Sequence, residues 1–369
     1  MAHMDRDRLL PGTNEPRLEA LDGVRGFSVI IVALFHYSLH PIGGYLGVDV
    51  FFVLSGFLIT SVVLREGTNF NWSRARMFYI KRALRIVPAL LEMLVLFSIM
   101  KLVFRAQITH FAGELLSSLF VYSNWTRSFD LGYPFYLGHT WSLAIEEQYY
   151  LIYPLFLMMV LRGRSGRWML AAVAASLALI FCVERFILTN QHASALRLYD
   201  GTDTRIPAIL IGCVAAVLIE TRSVRERLSS IWLATLALAG ILAMVATIDW
   251  KDPWLYRYGL GILAICSVLL IIHLHTVPGS PLSRCFAWKP LAYTGKIAYG
   301  IYLFHLPVFM CFGWIMKWPV PKTMLVGFPI TLALAALSWR FVERPALQLK
   351  SRFAPAPEPV PVAVSTAHG

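Results

Sequence analysis

Tyr45 to Leu64 reads YLGVDVFFVLSGFLITSVVL, twenty residues with one charged side chain, Asp49. A helix of about 20 apolar residues, rising about 1.5 Å each, crosses the roughly 30 Å hydrocarbon core of a bilayer. Similar runs fall on both sides of it, near 26–41, 45–64, 83–104, 141–161, 168–188, 205–220, 229–248, 256–275, 293–316 and 323–343. The first and sixth are short for a span, and the apolar piece Leu115 to Tyr122 is too short to cross. The expected fold is all-α: a polytopic membrane protein with about ten transmembrane helices.

Composition agrees. Charged residues make up 15% of the chain, against about 25% in soluble domains, so much of the surface must face lipid. The net charge of +12 invites a nucleic-acid reading, but the placement of the charges argues against one. With the N-terminus inside, the inner segments hold 23 Lys and Arg and the outer loops 6. That asymmetry is the positive-inside pattern of a membrane protein; it predicts cytoplasmic N- and C-termini and no nucleic-acid partner.

Residues 1–24 form a polar N-terminal segment without the apolar core of a cleavable signal. Residues 25–346 form the membrane domain, and 347–369 a proline-rich tail expected to be disordered. Five scattered cysteines, without CxxC, HExxH or zinc-type spacing, point to neither a disulfide framework nor a metal site.

Ionisable residues inside spans are costly to bury, so each is a candidate for function. Arg25 and His36 are eleven residues apart, which brings them to one stripe of a helix about 16 Å apart along its axis. An anion held by Arg25 at one end and a near-neutral base at the other is one reading. A topology anchor and a helix-to-helix hydrogen bond is the other. Asp49 can orient His36 or a neighbouring arginine, while Ser55 and Gly56 suit close helix packing. Arg82 and Arg85 share a face and suit phosphate, although the positive-inside pattern alone would also place them there.

The fourth span opens His139-Thr140-Trp141-Ser142, with Glu146 one turn beyond Ser142. Its carboxylate can bind an acceptor hydroxyl, fix an imidazole, or favour the helix N-terminus. The tyrosines that follow fit an interfacial belt or a sugar-stacking surface. Asp203 and Arg205 lead into another span. His305 lies two residues before Pro307, and a proline frees a helix carbonyl nearby.

Together these blocks resemble the acyltransferase 3 family of bacterial membrane O-acyltransferases over residues 17–346. The matching motifs are Arg25 with His36, Gly47 to Ile59, Arg82 with Arg85, Thr140 to Glu146, and Val342 to Pro345. Small departures are the glycine of AYGIYLFH, where serine is frequent, and Ile206-Pro207 after Arg205. The resemblance implies transfer of an acyl group, usually acetyl, from cytoplasmic acyl-CoA to a carbohydrate or glycosylated acceptor, at a bacterial inner membrane and with no metal. Some members carry an SGNH hydrolase-like domain; this chain is expected to be of the stand-alone form.

The expected site follows from residues and resemblance together. His36, with Asp49 or Glu146 steadying it, is the catalytic centre; Arg25, Arg82 and Arg85 hold acyl-CoA; Trp141, Ser142, Asp203, Arg205 and His305 meet the acceptor. The rival expectation is a transporter or flippase of a lipid-linked sugar or small solute, with His36 and Asp49 as a proton relay.

Overall fold

The computed structural model describes residues 16–66, 70–161 and 165–353. The expectations for residues 1–15, Arg162, Arg164 and the tail from 354 lie outside the described residues. Among those described the chain is helical throughout, with no strand.

Chain order is α1 (Pro16–Ser38), α2 (Gly47–Glu66), α3 (Trp72–Val103), the short α4 (Phe111–Leu119) and α5 (Ser123–Ser128), then α6 (Thr140–Val160) and α7 (Gly166–Asn190). Two short turns follow, α8 (Ala195–Asp200) and α9 (Thr202–Arg205), leading into α10 (Pro207–Leu218). The remainder comprises α11 (Arg222–Leu228), α12 (Ile231–Thr247), α13 (Leu260–Thr276), α14 (Pro281–Phe286), α15 (Lys289–Lys296), α16 (Ala298–Phe309), α17 (Val320–Ser338) and α18 (Arg344–Gln348).

All ten expected spans are helical, but they are not equal. Among the described residues, seven helices are long and apolar enough to cross a membrane, and an eighth span arises if α11 and α12, bent by 56°, count as one. The two expected spans left over are α6, rich in polar side chains, and α10, only 12 residues long. Two boundaries also shift. The first helix begins at Pro16, inside the segment expected to precede the membrane, because Ala20, Leu21 and Val24 are buried in the core. Residues 347–353, expected as tail, continue α18 and a 3-10 turn, Leu349–Phe353, that packs on α3.

Helix α10 sits against α2 more extensively than any other pair of elements meet. The contact is backbone on backbone: a Cβ on Gly56 would lie 1.9 Å from the Ile209 carbonyl oxygen, and one on Gly212 would lie 2.1 Å from that of Val53. Only glycine permits such an approach, the packing role expected for Gly56. A second seam of this kind joins α1 to α15, where a Cβ on Gly295 would lie 1.8 Å from the Asp22 carbonyl oxygen.

The bundle has two distinct ends. One gathers the close of α2 and α13, the start of α1, and the arginine-bearing start of α3. There Arg65 approaches His275 at 3.5 Å and Gly23 packs on Phe286. The other end gathers the loop after α1 and the close of α12: Gly43 donates to the Val245 carbonyl at 2.8 Å, and the Tyr45 hydroxyl reaches Ile248.

Candidate active site: two cavities on either side of one wall

From the arginine-rich end, a cavity runs between α1, α2, α3, α6 and α16. Arg25, Arg82 and Arg85 all line it, with Ser55, Ser142, Glu146, Tyr150 and Tyr302 deeper in. Arg25 is braced by Asp22 at 2.7 Å. The Arg82 guanidinium lies 3.4 Å over the Tyr150 ring and 3.8 Å from Glu147. Three guanidinium groups around one opening are chemically suited to pair with an anion bearing several charged oxygens.

A second cavity lies toward the opposite end. His36, Arg127, His139, Trp141, Tyr199 and Trp250 are among its lining residues. Arg25 and His36, eleven residues apart on α1, therefore face different cavities. Arg127, in α5, is fixed by Asp200 at 3.1 Å and by the Pro134 carbonyl at 3.2 Å. Asp200 lies outside the spans, and burial pushes its carboxyl up to about 6, against the pull of Arg127. Glu114 of α4, itself buried, accepts the backbone N–H groups of Phe135, Tyr136 and Leu137 at 2.5, 3.2 and 2.9 Å. That nest shapes the loop that delivers His139 to the start of α6.

The wall between the cavities is a short hydrogen-bonded stack. Ser142 Oγ donates to the Tyr302 hydroxyl at 2.6 Å, and Tyr302 donates to the His139 carbonyl at 2.6 Å. Behind it stand three imidazoles. The rings of His36 and His305 are 4.9 Å apart, and those of His139 and His305 are 5.2 Å apart. Despite this clustering, no His, Cys, Asp or Glu group among the described residues is arranged to hold a metal ion.

The partner of His36 differs from expectation. Its Nδ1 donates to the Val32 carbonyl at 2.9 Å, one turn back on the same helix. Neither carboxylate offered by the sequence reaches it. Asp49 is paired with Arg205 at 2.8 Å, both side chains buried, and the Arg205 guanidinium lies over the rings of Trp141 and Tyr199. That guanidinium compensates a carboxylate buried deep in an apolar bundle. Glu146 belongs to the arginine-lined cavity, where its Oε1 accepts from Ser55 at 2.5 Å and Tyr150 at 3.1 Å. A His36–Asp49 proton relay therefore has no direct contact.

The residues expected to meet an acceptor separate into three groups. Trp141 lines the histidine cavity and Ser142 the arginine cavity. His305 is buried behind His36 and His139, while Arg205 is committed to Asp49. Asp203 lines neither cavity; it binds Arg197 at 2.7 Å.

Residues of the two cavities passed over in the sequence include His139, Tyr302, Arg127, Tyr199 and Trp250. A signal existed for two of them. His139 immediately precedes the Thr140–Glu146 block, and Tyr302 sits three residues before His305, hence on the same helix face.

A helical bundle with a polycationic pocket at one end, a histidine and aromatic pocket toward the other, and a thin polar wall between them defines a class: an all-α polytopic membrane protein with two facing polar cavities. The family is fixed by comparison. An acyltransferase domain model matches residues 18–340, and the chain belongs to the acyltransferase 3 family.

Among curated proteins, the chain is 34% identical over 343 residues to the peptidoglycan O-acetyltransferase OatA of Listeria monocytogenes, covering 88% of this chain and 55% of that one. It is 35% identical over 347 residues to the putative peptidoglycan O-acetyltransferase YrhL of Bacillus subtilis, covering 89% and 54%. It is 30% identical over 346 residues to the O-acetyltransferase OatA of Staphylococcus aureus, covering 89% and 57%. The chain thus spans about half the length of the curated relatives it matches. No solved structure matches it.

Proposed function

We propose that this protein is a membrane O-acetyltransferase that takes an acyl group from acyl-CoA on the cytoplasmic side and places it on a hydroxyl of a glycan. The observation that carries this reading is the pair of cavities back to back at the Ser142–Tyr302–His139 wall. The arginine-lined cavity lies at the end where the basic loops gather, which the positive-inside pattern assigns to the cytoplasm of a bacterial inner membrane. Arg25, Arg82 and Arg85 take the phosphates of the nucleotide end, and the thin pantetheine arm extends toward Ser142 and Tyr302. The relatives' printed names support acetyl as the acyl group and a glycan as the acceptor.

In the histidine cavity the acceptor lies against Trp141, Tyr199 and Trp250, aromatic faces suited to a sugar ring. Val32 holds the His36 proton on Nδ1, so Nε2 carries the lone pair and acts as the general base. The acceptor oxygen attacks the thioester carbonyl; the carbon–oxygen bond forms and the carbon–sulfur bond breaks. The hydroxyl proton passes to His36 Nε2 and from there to the departing thiolate.

The experiment is thiol release from acetyl-CoA by purified protein in detergent, with a panel of glycan acceptors, wild type against His36→Ala. Acceptor-dependent release that vanishes in the variant is the expected result. Full activity in the variant would remove His36 from the chemistry, and no release with any acyl-CoA by folded protein would reject the transferase reading.

A further inference from the structure

The tautomers of the three clustered histidines can be assigned from their partners, because a backbone carbonyl only accepts. His36 Nδ1 meets the Val32 carbonyl at 2.9 Å, His139 Nε2 meets that of Leu303 at 3.1 Å, and His305 Nδ1 meets that of Tyr302 at 2.6 Å. Each of these nitrogens carries the proton. The second nitrogen of every ring is then a bare acceptor: Nε2 of His36, Nδ1 of His139 and Nε2 of His305.

The last two are buried without a partner, and His139 lines the same cavity as His36. None of the three rings can donate to another. An all-acceptor cluster beside a cavity calls for an occupant that brings several O–H donors, because a buried acceptor left unpaired costs free energy. A lone reacting hydroxyl supplies one donor, to His36, and leaves His139 unsatisfied.

We propose that the histidine-lined cavity takes a single sugar unit presenting two free hydroxyls, the reacting one held by His36 Nε2 and a second accepted by His139 Nδ1. This rests on the transferase reading for which cavity holds the acceptor, and it deepens that reading by naming what the acceptor must display. Both imidazoles are in ring contact with His305, at 4.9 and 5.2 Å between centroids, which keeps their two rings within reach of one small occupant. The aromatic faces of Trp141, Tyr199 and Trp250 line the rest of it. His139 is thereby a specificity-determining residue: a site built to accept from a hydroxyl discriminates against the analogue that lacks it.

Binding, read without turnover, tests this. Quenching of tryptophan fluorescence is titrated with methyl glycosides of glucose and N-acetylglucosamine and with their monodeoxy derivatives, using the full chain in detergent. The wild type is expected to bind at least one parent glycoside roughly tenfold more tightly than two of its monodeoxy derivatives, one for each imidazole. In His139→Phe, one of those two penalties disappears and the other remains.

Equal binding of parents and all monodeoxy derivatives by the wild type, or no binding of any glycoside, overturns the proposal. So does a folded His139→Phe that keeps both penalties. The wild-type comparison stands whether or not the variant folds. A protein that shows the two penalties yet never releases thiol would sink the transferase reading and leave this one standing.

Discussion

Pro307 and His139 meet through one carbonyl. A proline has no N–H to give to the residue four positions earlier, so Pro307 leaves the Leu303 oxygen without its helical donor. His139, 164 residues away in sequence, takes that oxygen with Nε2 at 3.1 Å. A proline in α16 thus decides which nitrogen of a histidine at the head of α6 keeps its lone pair.

Replacing Pro307 with alanine restores the N–H and sets it competing with His139 for Leu303. Helix propensity alone favours alanine in a helix interior by up to about 3 kcal/mol. Stability is therefore expected to hold or rise, while acyl transfer falls roughly tenfold, about 1.4 kcal/mol in the barrier. Thermal unfolding in detergent and thiol-release rates on the same preparation check the two directions. A variant with unchanged activity would show that the Leu303 contact does not matter to the chemistry.

The Asp49–Arg205 pair, both partners buried, is predicted to behave as a unit. Asp49→Leu and Arg205→Leu each leave an uncompensated charged partner in the bundle and should cost about 3–5 kcal/mol. The double variant Asp49→Leu with Arg205→Leu removes both and should cost less than the sum of the singles. A double-mutant cycle on unfolding midpoints measures this, and additive losses would mean that the pair is not coupled.

Asp200 supplies a pH dependence. Its carboxyl is pushed up to about 6 by burial, so between the ordinary carboxylate range and that value the folded protein binds a proton that the unfolded chain does not. Stability contributed by this group therefore rises as pH falls through about 6 and is lost again as pH climbs above it. In the same window the Arg127 guanidinium, 3.1 Å away, loses its counter-charge. Melting temperatures of wild type and Asp200→Asn, compared from pH 7.5 to 5, should converge at the acid end. Parallel curves would contradict the assignment.

Much of the architecture was legible in the sequence because apolar runs near twenty residues have few alternatives. Arg82 and Arg85 were readable as a pair by spacing, and the family resemblance joined Arg25 to them; all three line one cavity. Pairings between distant helices were not readable. The partner of Asp49 lies 156 residues on, and helical periodicity says which residues share a face but not which faces meet. The same limit hid His139: nothing in its neighbourhood hints at Leu303. His36 was expected to lean on a carboxylate, yet its Nδ1 is satisfied within its own helix by Val32, which a search for charged partners overlooks.

Helix α10 has 12 residues, a rise of about 18 Å against roughly 30 Å of hydrocarbon. Part of the missing length is made up at its start by α9, whose Thr204 and Arg205 are buried in protein. Along this line buried polar side chains of the bundle, rather than a long apolar helix, extend the span. A polar molecule in the cavity lined by Arg127 and Trp250 comes level with His36 without contacting the apolar face of a long helix. One of the two shortest expected spans is thus where polar protein replaces part of a membrane-crossing helix.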